Sequence, residues 1–173
     1  MTSLSHLSRL GPALAAGSIA IVVNTLALKA ADLIPLATAK GGLLRLVSPW
    51  FAPLLKSTGV AATWLKAGAP APNTPPFQMG FHIVVGIGMA LFYAYALEPF
   101  LPGRAWGKGL IYAAAVWIVN AVVVLPATGE GFAGAAHLTI PGMAWFAAAH
   151  TLFFVLMAML FELFIRGLPY SEV

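Results

Sequence analysis

The chain has no cysteine and very little charge: 173 residues include 9 Lys and Arg and 5 Asp and Glu. Without cysteine there is no disulfide framework, thiolate zinc site, iron–sulfur cluster or Cys nucleophile. Charged residues are 8% of the chain, against about a quarter in an ordinary soluble domain. The formal net charge of +4 is spread thinly, with no Lys/Arg run, so nothing in it suits nucleic acid. There is no HExxH motif, and no nucleophile–base or carboxylate pair lies inside an apolar stretch. Ser18 and Thr25 are isolated, and the expectation is that they bond their own helix backbone. Enzymatic chemistry is therefore not the leading expectation.

Apolar residues are what the chain has in quantity: 61% hydrophobic, with mean hydropathy +0.92. A fold this small leaves much of its surface exposed, so water could not accommodate that composition, whereas lipid can. The apolar residues fall into four runs, at about 10–31, 77–97, 107–125 and 141–165. A helix of about 20 residues rises roughly 30 Å, the thickness of the hydrocarbon slab. Strand or coil would leave unpaired backbone groups in lipid, so each run must be helical. The expectation is an all-α, integral membrane four-helix bundle forming one domain over 1–173. The first run follows a short n-region with one arginine and has a poor cleavage site at Lys29-Ala30-Ala31, so it reads as an uncleaved signal anchor. Pro141 suits the start of a helix, and LPGR (101–104) and RGLP (166–169) carry the punctuation that follows one.

The connection between the first two spans is long. Its residues 41–67 read as an amphipathic interfacial segment of one or two short helices that lies in the headgroups, packs on the bundle as a lid, or does both. Pro49 and Pro53 are expected to prevent a single continuous helix. The stretch 68–76 is expected to be a stiff, extended connector. Trp50, Trp64, Trp106 and Tyr170 fall where aromatic anchors sit. Placing the termini inside sets Arg9, Arg104, Lys108 and Arg166 on that side. Lys29, Lys40, Arg45, Lys56 and Lys66, all in the long connection, then lie outside. Short loops carry more weight, which favours cytoplasmic termini.

Polar side chains are costly in lipid and tend to face the bundle interior. Each span carries one: Asn24, His82, Asn120 and His150. With antiparallel spans, all four lie about five to nine residues below the same membrane face, within roughly one helical turn of depth. The plainest reading is interhelical hydrogen bonding that sets register. A second is ligation of haem b iron by His82 and His150, with Gly86 and Ala147 leaving room for a flat ring. A third is a pocket for a quinone or other apolar small molecule, with a His as hydrogen-bond donor and Trp117, Trp145 or Phe146 as walls. His137, in the glycine-rich loop 129–142, is expected at the solvated interface, or as a loop ligand or proton relay above the layer with Glu130 as partner. At the opposite face, Glu98 and Glu162 stand among Arg104, Lys108 and Arg166 as a salt-bridged rim. Small residues recur every three to four positions at Ala13, Gly17, Ala20, Asn24 and Ala27, at Gly86, Ala90 and Ala94, and at Gly109 and Ala113. That spacing favours close helix packing, within one chain or between copies.

The stretches 81–103 and 109–134, with a last span holding a mid-helix histidine (147–160), resemble the small bacterial YagU-like and related domain-of-unknown-function membrane proteins. The resemblance implies a multi-pass protein of the bacterial inner membrane, carries His82 and His150 as pattern residues and brings no chemistry. The leading functional expectation is a non-catalytic accessory or anchoring subunit that contacts the bilayer and other membrane subunits or itself. An electron-transfer subunit binding haem or quinone comes next, then a small transporter or channel. Against transport, no span is interrupted mid-membrane by Gly or Pro, and the halves show no repeat.

Overall fold

In the computed structural model, residues 6–34, 36–38, 42–72 and 74–167 are described. All of their regular structure is helical. Helix α1 (His6–Ala30) runs on into a 3-10 turn, Ala31–Leu33. Helices α2 (Gly42–Ser57) and α3 (Val60–Lys66) occupy the long connection. Helix α4 (Pro75–Phe92) continues as a π-helical turn, Tyr93–Leu97. Helix α5 (Ala105–Val119) continues as a π-helical turn, Asn120–Val124, and then α6 (Leu125–Ala127). Helix α7 (Ile140–Arg166) closes the bundle, its first turn capped by the Thr139 hydroxyl with Pro141 beside it. Four stretches, Ser8–Leu33, Pro75–Leu97, Ala105–Ala127 and Ile140–Arg166, are long and apolar enough to cross a membrane. The chain is an all-α, multi-pass membrane protein.

Helices α1 and α7 form the central pair, with α4 packed on α1 and α5 on α7. The small residues make this possible. Ala13, Gly17, Ala20 and Asn24 are all buried along one stripe of α1. A Cβ at Gly17 would stand 2.6 Å from the Ala90 Cβ, and one at Gly109 would stand 2.7 Å from the Val155 backbone. Large apolar side chains such as Val22, Leu26, Val84, Ile118 and Leu163 point outward, as lipid permits.

The two halves of the bundle differ. Toward the terminal face the interior is aromatic. Tyr93 and Tyr112 stack at 6.1 Å, Tyr112 meets Phe154 at 4.5 Å, and Phe161 stands edge-on to Tyr93 at 5.8 Å. These rings, with Met157, join α4, α5 and α7 into a dense core. Toward the other face α4 and α5 are separated by a cavity.

Both π turns follow the same local rule. Each begins six residues before a proline, Tyr93 before Pro99 and Asn120 before Pro126. A proline ring clashes with the carbonyl four residues back and supplies no N–H. Widening the last turn relieves the clash: the Glu98 N–H bonds Tyr93 O, and the Leu125 N–H bonds Asn120 O. The shift leaves Ala94 O without a donor in its own helix, because Glu98 N–H is taken and Pro99 has none. Arg9 Nη1 supplies one at 2.6 Å and also pairs with Glu98 Oε2 at 2.9 Å. Lys108 Nζ reaches Glu98 Oε1 at 2.8 Å. Burial alone would raise the Glu98 carboxyl, but hydrogen bonds from Lys108 and Arg9 outweigh it and hold it below its ordinary value. Of the expected rim, Lys108 pairs with Glu98 and Arg166 with Glu162, Arg9 is an added member, and no ion pair among the described residues engages Arg104.

Two expectations about the long connection are corrected. Helix α2 runs unbroken through Pro49 and Pro53. The prolines are four apart, so both lost bonds fall on one stripe, and α2 is exposed from Pro49 to its end. The Ser48 hydroxyl replaces one donor by bonding Arg45 O at 3.4 Å. The break comes instead at Gly59, whose φ of 74° is left-handed and favours glycine. The described residues of the stretch 68–76 do not form a straight extended connector. The chain turns back at Gly68, Trp64 Nε1 bonds Pro70 O at 2.8 Å, and the Trp64 ring stands edge-on to Phe77 at 6.2 Å. Trp50, Trp64 and Trp106 are exposed as anchors would be; Lys40 and Tyr170 lie outside the described residues.

Two measurements test this packing. Gly109→Ala should lower stability by about 1–3 kcal/mol, since its methyl meets backbone rather than a yielding side chain. Gly88→Ala, with open space around it, should leave stability unchanged or raise it by up to about 1 kcal/mol. Thermal melts in one detergent compare them. A carboxyl held below its ordinary value stabilises the fold above that value, and the benefit disappears as pH falls through the folded value. Melting temperature should therefore drop on acidification, and less steeply in Glu98→Gln.

Candidate functional site

All four polar side chains of the spans line one cavity of about 350 Å³. Its floor comes from α1 and α7, and α4 and α5 are its side walls. Leu43 and Leu44 of α2, with Lys29, Asp32 and Gln78, ring its outer end, and Met89, Phe153 and Phe154 line its deep end. Among the four helices, polar groups meet in the outer half, and the aromatic core seals the inner half.

Asn24 organises the layer and is almost fully buried. Its Nδ2 donates to Ala149 O at 2.9 Å, tying α1 to α7. That orientation turns Oδ1 toward His82 Nε2, 3.0 Å away. A carbonyl oxygen only accepts, so the His82 Nε2 carries the proton. A second tie joins the same helices, from Trp145 Nε1 to Ala27 O at 2.9 Å. His150 acts within its own helix: Nδ1 lies 2.8 Å from Phe146 O and must carry that ring's proton. The rings of His150 and Phe146 pack at 4.2 Å.

The expected layer is thus assembled, but its bonds differ from a ring of mutual contacts. Only Asn24 and His82 bond each other. Asn120 turns its Nδ2 to Val116 O, 3.1 Å away in its own helix. Gly86 does not leave room for a flat ring. A Cβ there would lie 2.5 Å from Ile21 Cδ1, so the space is filled by α1. Of the expected aromatic walls, Phe146 lines the cavity; Trp145 serves the α1–α7 tie, and Trp117 is not part of the lining. Thr25 bonds Ile21 O at 2.8 Å, as expected of an isolated hydroxyl.

The loop residues pair as expected: His137 Nδ1 lies 3.0 Å from Glu130 Oε2. Both stand outside the cavity lining, so neither reaches the layer as a ligand. Glu130 is buried and also bonds Arg45 of α2. That hydrogen bond is the main reason its carboxyl is held below the usual range, with His137 adding to it. The Arg45–Glu130 pair fastens the start of α2 across the outer end of the cavity. No local pattern in the chain could have exposed this pair, which joins positions 85 apart. Among the described residues, no cluster of three or more His, Cys, Asp or Glu could hold a metal ion.

Comparison of the chain with protein-family models, curated proteins and solved structures finds no match.

Removing the central amide tests the layer. Asn24→Leu leaves His82 Nε2 without its acceptor, removes the side-chain donor to Ala149 O and should lower stability by about 1–3 kcal/mol. Thermal melts in detergent read the loss. Asn120→Leu, which gives up a bond inside one helix, should cost clearly less.

Proposed function

We propose that this protein is a small-molecule-binding membrane bundle of the bacterial inner membrane, with both termini cytoplasmic, acting as a non-catalytic accessory subunit. Its ligand would lie between α4 and α5. The observation that carries this reading is the cavity of about 350 Å³, which falls within the usual size of ligand pockets and brings together four polar side chains and aromatic walls. A bundle needing polar groups for register alone could pack them without a void. The composition of the lining suits a molecule with an apolar body and a polar group, the quinone class being the natural example.

Haem b is less well supported. Ligation through both Nε2 atoms would require breaking the His82–Asn24 bond, and the glycine meant to admit the ring is covered by Ile21. A channel or transporter finds no support in the inner half, where Tyr93, Tyr112, Phe154 and Phe161 fill the axis.

Native mass spectrometry of protein extracted in mild detergent should reveal a co-purifying apolar molecule. Val116→Trp, on the cavity wall, should abolish that occupancy while leaving the melting temperature within a few degrees. An empty wild-type cavity that also refuses added benzoquinones, the matching hydroquinones and the hydroquinone ethers would overturn the reading. An absorption spectrum of the same sample should lack a reduced-minus-oxidised haem band.

A further inference from the structure

The layer determines which polarity of ligand it can bind. In a neutral imidazole one nitrogen donates and the other accepts. His82 uses its proton on Asn24 Oδ1, and His150 uses its proton on Phe146 O. His82 Nδ1 and His150 Nε2 are therefore lone pairs, and no hydrogen bond among the described residues engages either. No side-chain nitrogen or oxygen among those residues is fully covered without a partner, so neither nitrogen is sealed off. Both residues line the same cavity. Asn120 adds a third acceptor in the same way, since its Nδ2 is turned to Val116 O and no hydrogen bond among the described residues engages its Oδ1. The layer thus presents acceptors from α4, α7 and the π turn after α5, while the lining's donors Lys29 and Gln78 lie at the outer end of the cavity. A ligand whose polar atoms are carbonyl oxygens would meet lone pairs with lone pairs. Phe81, Phe146, Phe153 and Phe154 contribute flat apolar walls, which suit an aromatic body.

We propose that the cavity selects a hydroxyl-bearing aromatic, a phenol or hydroquinone, whose O–H groups donate to His82 Nδ1 and His150 Nε2. The oxidised quinone is then the poorer ligand. This rests on the reading of the cavity as a ligand site and specifies its chemistry.

The test compares three probes of equal body in detergent-solubilised full-length protein: a short-chain alkyl benzohydroquinone kept reduced, its dimethyl ether, and the matching benzoquinone. The hydroquinone should bind about ten-fold more tightly than the other two. Two substitutions keep the structural bond and remove the ring nitrogen's lone pair, leaving only an amide carbonyl displaced from its position. The amide of Gln in His82→Gln stands where Nε2 stood and still donates to Asn24. The amide of Asn in His150→Asn stands where Nδ1 stood and still donates to Phe146 O. Each should lower hydroquinone affinity about ten-fold, leave ether affinity unchanged, and keep the melting temperature near that of the parent. Equal binding of all three probes, or hydroquinone affinity unmoved in both variants, would overturn the donor selection while leaving the cavity a ligand site. Zinc or copper ions that displace the hydroquinone from the parent and fail to bind either variant would replace it with a two-histidine metal site. Failure of every probe to bind would instead sink the ligand reading on which this rests.

Discussion

A polar group inside hydrocarbon must find its partner within the protein, because no water is there to replace it. The structure follows from how that demand is met in two places. In the outer half one buried amide, Asn24, bonds Ala149 O on α7 and His82 on α4. At the terminal face one guanidinium, Arg9, answers the Ala94 carbonyl that a proline has stranded. Both partners sit on α1. That helix is central because it carries the groups its neighbours lack, and its small residues let those neighbours come close enough to use them.

The two ends of the bundle put proline to similar use with different results. At Pro99 the widened turn is closed by Arg9, Glu98 and Lys108, and the rings beneath pack densely. At Pro126 the widened turn starts with Asn120 on the cavity wall. The same backbone distortion is compensated at one end and left beside open space at the other. π turns of this kind often mark functional positions, and the one beside the cavity is where the bundle stays unfilled.

The imidazoles show how a structural bond limits chemistry. Had Asn24 bonded elsewhere, His82 could present either nitrogen to a ligand. Once its proton is committed to holding α1 against α4, its choice of tautomer is made, and His150 is fixed likewise by its own helix carbonyl. The fold therefore determines, through two protons, which imidazole nitrogens remain acceptors.

The four spans, their helical state and the shared depth of Asn24, His82, Asn120 and His150 could be read from the chain, since bilayer thickness and helix rise convert sequence position into height. The close-packing stripe of α1 was legible too, because small side chains at four-residue spacing have one physical use in lipid. The continuity of α2 through two prolines was not legible, as it depends on which face of that helix is left exposed. Nor was the filling of the space at Gly86, which only the position of Ile21 decides. Height along the membrane is a one-dimensional property that the order of residues determines by itself. Which side chain meets which across the bundle, and so whether the polar layer closes on itself or opens on a cavity, depends on helix rotation and tilt. Those were decided by tertiary packing alone.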